Sequence, residues 1–183
     1  MIDNLCGVIL CGGQSRRFGS DKAIATYKGI SLVQRSYNVL ASVVNEIVLA
    51  AGSPHREYVK NVVHVADNRP DAGPLGGIEA AFAATRADSL LVLASDLPLI
   101  GEVHLLTLLK NNKPPLILGR DRITKREQPL CAIWHRSLQI PLGQYLDSGK
   151  RSVLGFVGTY SYSVIDFEAG VLINVNNRFD LSE

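Results

Sequence analysis

Between Gly12 and Lys22 the chain gathers paired glycines, two arginines, an acid and a lysine: Gly12-Gly13-Gln14-Ser15-Arg16-Arg17-Phe18-Gly19-Ser20-Asp21-Lys22. Adjacent glycines let a backbone turn tightly and aim its N–H groups at a ligand with no side chain in the way. Guanidinium and ammonium groups close behind supply the charge that phosphate oxygens attract. Far along the chain, Asp96 follows the wholly apolar run Leu90 to Ala94 and stands just before Leu97-Pro98. A carboxylate there suits Mg²⁺, a hard ion that takes oxygen ligands and bridges to phosphates. The other reading of Asp96 is a cap for a helix beginning near Leu99. Taken together, the two stretches have the parts of a nucleoside triphosphate site. Two familiar patterns do not fit. The P-loop ends in Gly-Lys-Ser/Thr whereas Lys22 follows Asp21, and Gly-x-Gly-x-x-Gly is absent.

Such groups need a scaffold that brings them to one place. Gly7-Val8-Ile9-Leu10, leading into the glycines, predicts a buried central strand. Ile30 to Val44 predicts a helix with Ser31 as its cap, and Glu46 to Ala51 a second strand. A short helix over Pro54 to Lys60 and a short strand over Asn61 to Val65 follow. After the turn-rich loop from Asp67 to Gly77, a helix runs to about Arg86 with Ile78, Ala81, Phe82 and Thr85 on one face. Its small residues, Gly76 and Gly77 among them, would let its backbone lie close to a sheet. Ser89 to Ala94 is expected as a strand buried on both faces, Glu102 to Lys110 as a helix and Pro115 to Gly119 as a strand. Asp121 to Gln128 reads as a charged, mobile loop. Beyond it come a strand over Pro129 to Trp134, helices over Ser137 to Leu146 and Ser148 to Phe156, a strand over Tyr160 to Phe167, and a last segment from Leu172 to Asn176.

Strands alternating with helices imply right-handed crossovers and a mostly parallel sheet, hence a three-layer, Rossmann-like α/β domain. Ligands of such sheets sit outside the carboxyl ends of the strands. The glycine loop, Asp67, Asp96 and the Asn174 segment all follow strands, so one cleft can collect them. The 183 residues suit a single domain, 1–183. Nineteen basic against seventeen acidic residues, a net +2, argue against a nucleic-acid partner. No apolar run approaches the roughly 20 residues of a membrane helix, so no membrane association is expected. The start Met1-Ile2-Asp3-Asn4 lacks a signal peptide's basic and apolar regions. Cys6, Cys11 and Cys131, odd in number and scattered, suggest reduced thiols and a cytoplasmic location.

Leu10-Cys11-Gly12-Gly13-Gln14-Ser15-Arg16-Arg17-Phe18-Gly19-Ser20-Asp21-Lys22-Ala23 resembles the signature Leu-Ala-Gly-Gly-x-Ser-x-Arg-Met-Gly-x-Asp-Lys-Ala of the molybdenum cofactor guanylyltransferases, the MobA family of nucleotidyltransferases. Cys11 and Phe18 are the departures. Ser95-Asp96-Leu97-Pro98 is similar to the family's metal motif, and the resemblance carries the Mg²⁺ role to Asp96. It gives Lys22 and Arg17 the task of countering charge on the triphosphate, with Leu10, Cys11, Gly12 and Gly13 around the base. Gly73-Pro74-Leu75-Gly76-Gly77 is similar to a family segment bordering the base; taken alone, Gly76 and Gly77 are the tight start of a helix. Asp67 resembles an aspartate that holds the nucleotide, where an isolated loop aspartate would more often make an Asx turn.

On the acceptor side the resemblance assigns Gln128 and Arg151 to the pterin, Arg151 being otherwise a solvated helix end. Asn174 and Asn176, in an Asn-Val-Asn segment similar to the family's, either recognise the pterin or tie down the last turn. Ala50 stands where the family has an asparagine. The implied reaction is Mg²⁺-dependent transfer of GMP from GTP to the phosphate of molybdopterin, with release of pyrophosphate. Partners would then be these two substrates and, further off, other molybdenum cofactor biosynthesis proteins and molybdoenzyme chaperones. A cytidylyltransferase of the same fold and a nucleotide-binding regulator without turnover are the alternatives; intact Lys22 and Asp96 argue against the regulator.

Overall fold

A computed structural model describes residues 4–11, 22–52, 58–69, 71–110, 115–177 and 180. In chain order the first strand is β1 (Leu5–Leu10). A 3₁₀ turn at Lys22–Ile24 and a small hairpin, β2 (Thr26–Tyr27) and β3 (Ile30–Ser31), lead into α1 (Leu32–Ala41). Ser31 caps α1 as expected, its hydroxyl accepting the Gln34 N–H, although Ile30-Ser31 itself is strand. Then follow β4 (Glu46–Ala50), β5 (Val63–Val65), α2 (Pro74–Ala84), β6 (Ser89–Ala94) and α3 (Glu102–Leu109). The remainder is β7 (Leu116–Asp121), β8 (Glu127–His135), α4 (Gln139–Asp147), α5 (Val153–Val157) and β9 (Tyr162–Phe167).

The seven-stranded sheet runs β5-β4-β1-β6-β8-β7-β9. All neighbours are parallel except β8, which is antiparallel to both β6 and β7. Two apolar layers flank it. On one face Leu75, Ile78 and Phe82 of α2, Leu142 and Leu146 of α4 and Phe156 of α5 meet Val8, Val48, Leu90, Val92 and Trp134. On the other, Val33 and Leu40 of α1 with Leu105 and Leu108 of α3 meet Ile9, Leu49, Leu91, Leu93 and Ile133. These are the three layers the alternation predicts. No helix among the described residues is long and apolar enough to cross a membrane.

Several expectations change. The helix expected over Ser148 to Phe156 begins only at Val153, where the Ser152 hydroxyl caps it by accepting the Gly155 N–H, so Ser148 to Ser152 is not helical. The helix over Pro54 to Lys60 lies largely outside the described residues, and Tyr58 to Lys60 is not helical. The segment from Asp121 to Gln128 is a tight hairpin joining β7 to β8. Asp121 organises it: one carboxylate oxygen accepts the N–H groups of Ile123 and Thr124, the other that of Gly170. The Thr124 N–H first, then those of Gly170 and Ile123, hold this carboxyl down at about 2. Finally, β8 starts two residues earlier than the apolar run suggests, at Glu127.

One fastening has no counterpart in the periodicity. The Arg136 guanidinium donates to the carbonyls of Ala87, Thr85 and Phe82 and to the Gln139 side chain. It therefore caps the carboxyl end of α2, where carbonyls lack helical partners and a cation is favoured. None of the three cysteines is in a disulfide. Burial pushes the Cys6 and Cys131 thiols up to about 12, which leaves both as core residues and not nucleophiles.

Candidate active site

The parallel strands end together. Cys11 N–H donates to the Ala50 carbonyl, Ser95 N–H to that of Leu10 and Ala51 N–H to that of Val65. This edge is the floor of the cleft. Every residue of β6 is buried, and the chain leaves the sheet at Ser95-Asp96 because Pro98 cannot extend a central strand. Asp96 is thereby delivered to the rim.

Among the described residues its carboxylate has two partners. Oδ2 accepts from Lys22 Nζ at 2.7 Å, and Oδ1 from Asn174 Nδ2 at 2.8 Å. The Asp96 carbonyl also accepts the Val175 N–H at 2.9 Å, which lays the 172–176 segment across the strand end. Asn174 Oδ1 in turn accepts from Gln128 Nε2 at 3.0 Å. Lys22, Asp96, Asn174 and Gln128 thus form one chain of hydrogen bonds drawn from four distant parts of the sequence. The side chains of Lys22 and Asp96 are 21% and 23% exposed, so the pair is sheltered yet open to a solute.

Asp67 stands after β5, half-buried, where a Cβ built on Gly76 would lie 3.3 Å from its Cγ and one on Gly77 3.7 Å from its Oδ1. No hydrogen-bond partner for this carboxylate occurs among the described residues. Burial alone pushes its pKa up. Close approach explains the glycines: an added Cβ at Gly77 would sit 2.9 Å from Leu10 Cδ2 and 3.2 Å from the Ala50 methyl. The small side chain at Ala50 belongs to the same close fit.

The other expected residues divide. Leu10 and Cys11 sit on the floor of the cleft. Gly12, Gly13 and Arg17 lie outside the described residues. Asn176 folds its amide onto the Asn174 carbonyl, and its N–H donates to Asp180, so in the described structure it ties the turn. The Arg151 guanidinium donates to the carbonyls of Leu146 and Lys150 at the end of α4. No hydrogen bond or ion pair of Arg151 reaches the Asp96 cluster.

Two cations escaped the sequence reading. Arg35 lies over the Tyr27 ring and donates to the Pro98 carbonyl, bracing the loop that follows Asp96. Arg69 pairs with Glu79 on α2 and Asp147 on α4, bracing the loop that carries Asp67. Only a basic residue near an already suspect loop could have hinted at either.

Among the described residues no three His, Cys, Asp or Glu converge, so no closed metal cage is built from them. One carboxylate at a cleft rim is nevertheless enough for Mg²⁺, which keeps several waters and commonly binds through one or two carboxylates plus substrate phosphates. The Lys22 ammonium on Asp96 Oδ2 occupies the kind of position such a cation would take, so the donor set fits.

Comparison with known proteins gives this geometry a family. The family model of the MobA-like NTP transferase domain matches residues 7–161. A probable molybdenum cofactor guanylyltransferase of Trichormus variabilis is 30% identical, with 99% of this chain and 90% of the relative aligned. Among solved structures, molybdopterin-guanine dinucleotide biosynthesis protein A of Archaeoglobus fulgidus superposes with a TM-score of 0.77 at 18% identity, covering 96% of this chain and 94% of the other. A 2-C-methyl-D-erythritol 4-phosphate cytidylyltransferase of Thermus thermophilus does so with a TM-score of 0.71 at 13% identity, covering 95% and 94%. The two structural likenesses speak for the Rossmann-like nucleotidyltransferase fold, and the sequence matches for more: the chain belongs to the MobA-like NTP transferase family.

Proposed function

We propose that this protein transfers GMP from GTP to the phosphate of molybdopterin. An oxygen of the acceptor phosphate forms a bond to the α-phosphorus of GTP. The bond from that phosphorus to the bridging oxygen breaks, and pyrophosphate leaves with the electron pair. The acceptor phosphate is already an anion and needs no general base, so the protein's work is positioning and charge neutralisation. The observation that carries this reading is the Lys22–Asp96 pair at the carboxyl edge of the sheet, with Lys22 close behind the paired glycines Gly12-Gly13 in the sequence. Names of relatives such as the Trichormus protein point to the same chemistry.

In this reading Lys22 exchanges Asp96 for phosphate oxygens when the triphosphate enters. Asp96, freed on Oδ2, would be the residue that holds Mg²⁺. When bound there, Mg²⁺ would supply Lewis-acid and electrostatic assistance to phosphoryl transfer. Asn174 keeps its N–H on Oδ1 throughout. The backbone from Leu10 to Gly13 and the start of α2 at Gly76 and Gly77 take the base. Asp67, poorly solvated and without a hydrogen-bond partner among the described residues, accepts from hydroxyl or N–H groups of the nucleoside. Arg17 joins Lys22 on the phosphates, and the acceptor lies toward β8 and the 172–176 segment.

Guanine offers two kinds of donor and an acceptor, and a site that hydrogen-bonds all of them rejects a base lacking them by large factors. Competition among GTP, CTP and ATP with molybdopterin as acceptor tests the assignment. Preferential consumption of GTP is expected; comparable use of CTP would overturn the guanylyl reading in favour of a cytidylyltransferase.

A further inference from the structure

β7 and β8 lose register in one step. Leu118 pairs with Ala132, yet the next residue, Gly119, pairs with Gln128, so Pro129, Leu130 and Cys131 are extra on β8. Pro129 has no N–H to give the ladder. The buried Trp134 indole closes the irregularity by donating to the Pro129 carbonyl at 3.1 Å. A Cβ on Gly119 would lie 3.2 Å from the Cys131 carbonyl oxygen and 2.9 Å from the Phe167 ring, so a side chain there would crowd the bend. Bulges of this kind re-aim side chains. The side chain next to this one is Gln128, 8% exposed, with Nε2 on Asn174 Oδ1.

The polarity of the chain starts at Asp96. An ionised carboxylate only accepts, so Asn174 must turn its nitrogen to Asp96 and its oxygen away. That oxygen needs a donor in the sheltered cleft, and Gln128 provides it. Building on the function proposed above, we propose that Gln128 is a positioning residue: it holds the Asn174 amide on Asp96 Oδ1. The carboxylate's rotation is thereby fixed, and Oδ2 stays turned toward Lys22 and toward the cation that replaces it. Gln128 then serves the nucleotide end of the reaction through Asn174, without touching the acceptor.

A double-mutant cycle decides this. Gln128→Met keeps length and volume and removes the donor. Pyrophosphate release from GTP and molybdopterin is followed for the wild type, Gln128→Met, Asn174→Ala and the pair. Losing this partly buried neutral hydrogen bond should lower kcat about five- to tenfold, with the KM for molybdopterin unchanged. In the Asn174→Ala background the same substitution should cost less than about twofold, because contacting residues that act through one another are not additive. An equal cost in both backgrounds, or a raised molybdopterin KM in both, would overturn the proposal. If the methionine variant shows no cooperative melting, Gln128→Asn, one methylene short of Asn174, replaces it in the cycle. The side-chain ¹⁵N amide resonances of Asn174, identified by their loss in Asn174→Ala, read the contact without substrate and should shift in Gln128→Met. Shifted resonances in a protein that transfers no GMP would overturn the functional reading alone; unshifted resonances would overturn the role of Gln128 whatever the turnover.

Discussion

The two walls of the cleft are made in different ways. On one side, β1, β4 and α2 meet through small residues: Gly76, Gly77, Ala50 and Ala72 let a helix lie against strand ends with no room for a further methyl group. On the other side, β8 and the 172–176 segment meet through amides, Gln128 to Asn174 to Asp96. The first wall is shaped by volume and the second by polarity. A substitution that keeps polarity but adds volume should therefore harm the first, and one that keeps volume but changes polarity or charge should harm the second.

The largest effect is expected at the polar wall. Asp96→Asn keeps the shape and removes the charge that holds Lys22 and, in the proposed reaction, Mg²⁺. Turnover should fall about 10²–10³-fold, the scale of losing one electrostatic partner of a transition state. The melting temperature should hardly move, since a partly exposed ion pair contributes little to stability. Near-normal turnover at ordinary Mg²⁺ would remove Asp96 from the site.

Next comes the wall shaped by volume. A Cβ at Gly76 would lie 2.6 Å from that of Ala72, a fully buried residue, and 3.3 Å from Asp67 Cγ. Gly76→Ala should cost about 1–3 kcal/mol in denaturant unfolding, the usual range for overpacking. Wild-type stability in that variant would mean that the close approach is slack.

The smallest effect sits where charge meets the tight wall. Burial raises the Asp67 pKa above its ordinary 3.8, so folding disfavours the carboxylate relative to the unfolded chain. The penalty for the carboxylate is present above the raised value and vanishes below the unfolded one. Asp67→Asn should therefore raise the melting temperature at pH 7, and the gain should shrink as pH falls toward 3.8. A variant less stable than wild type at pH 7 would show that the carboxylate has favourable contacts after all.

Legibility follows the same division. β6 is readable to the residue because a parallel strand buried on both faces leaves a continuous apolar run. Gly76 and Gly77 are readable because only small residues permit close packing. Asp96 and Lys22 stand out by type and spacing, but their ion pair depends on the 3₁₀ turn at Lys22–Ile24, which spacing does not reveal. The hairpin after β7 was hidden by its charges: Asp121 satisfies N–H groups nearby, but also that of Gly170, and no local pattern announces so distant a partner. Its short turn is also what forces β8 to run antiparallel. The bulge then points Gln128 at Asn174, a contact that neither residue's surroundings in the sequence could disclose.

The four-residue relay also bears on the order in which the molecule becomes competent. Asp96 lies 74 positions from Lys22 and 78 from Asn174, so each link closes a long loop. Asn174 falls outside the 7–161 stretch that the family model matches. Such non-local contacts come at the end of folding, after the entropy of long loops has been overcome. By the same reasoning, a local opening that lifts only residues 172–176 off the strand end would disarm the cleft while both apolar layers stayed folded.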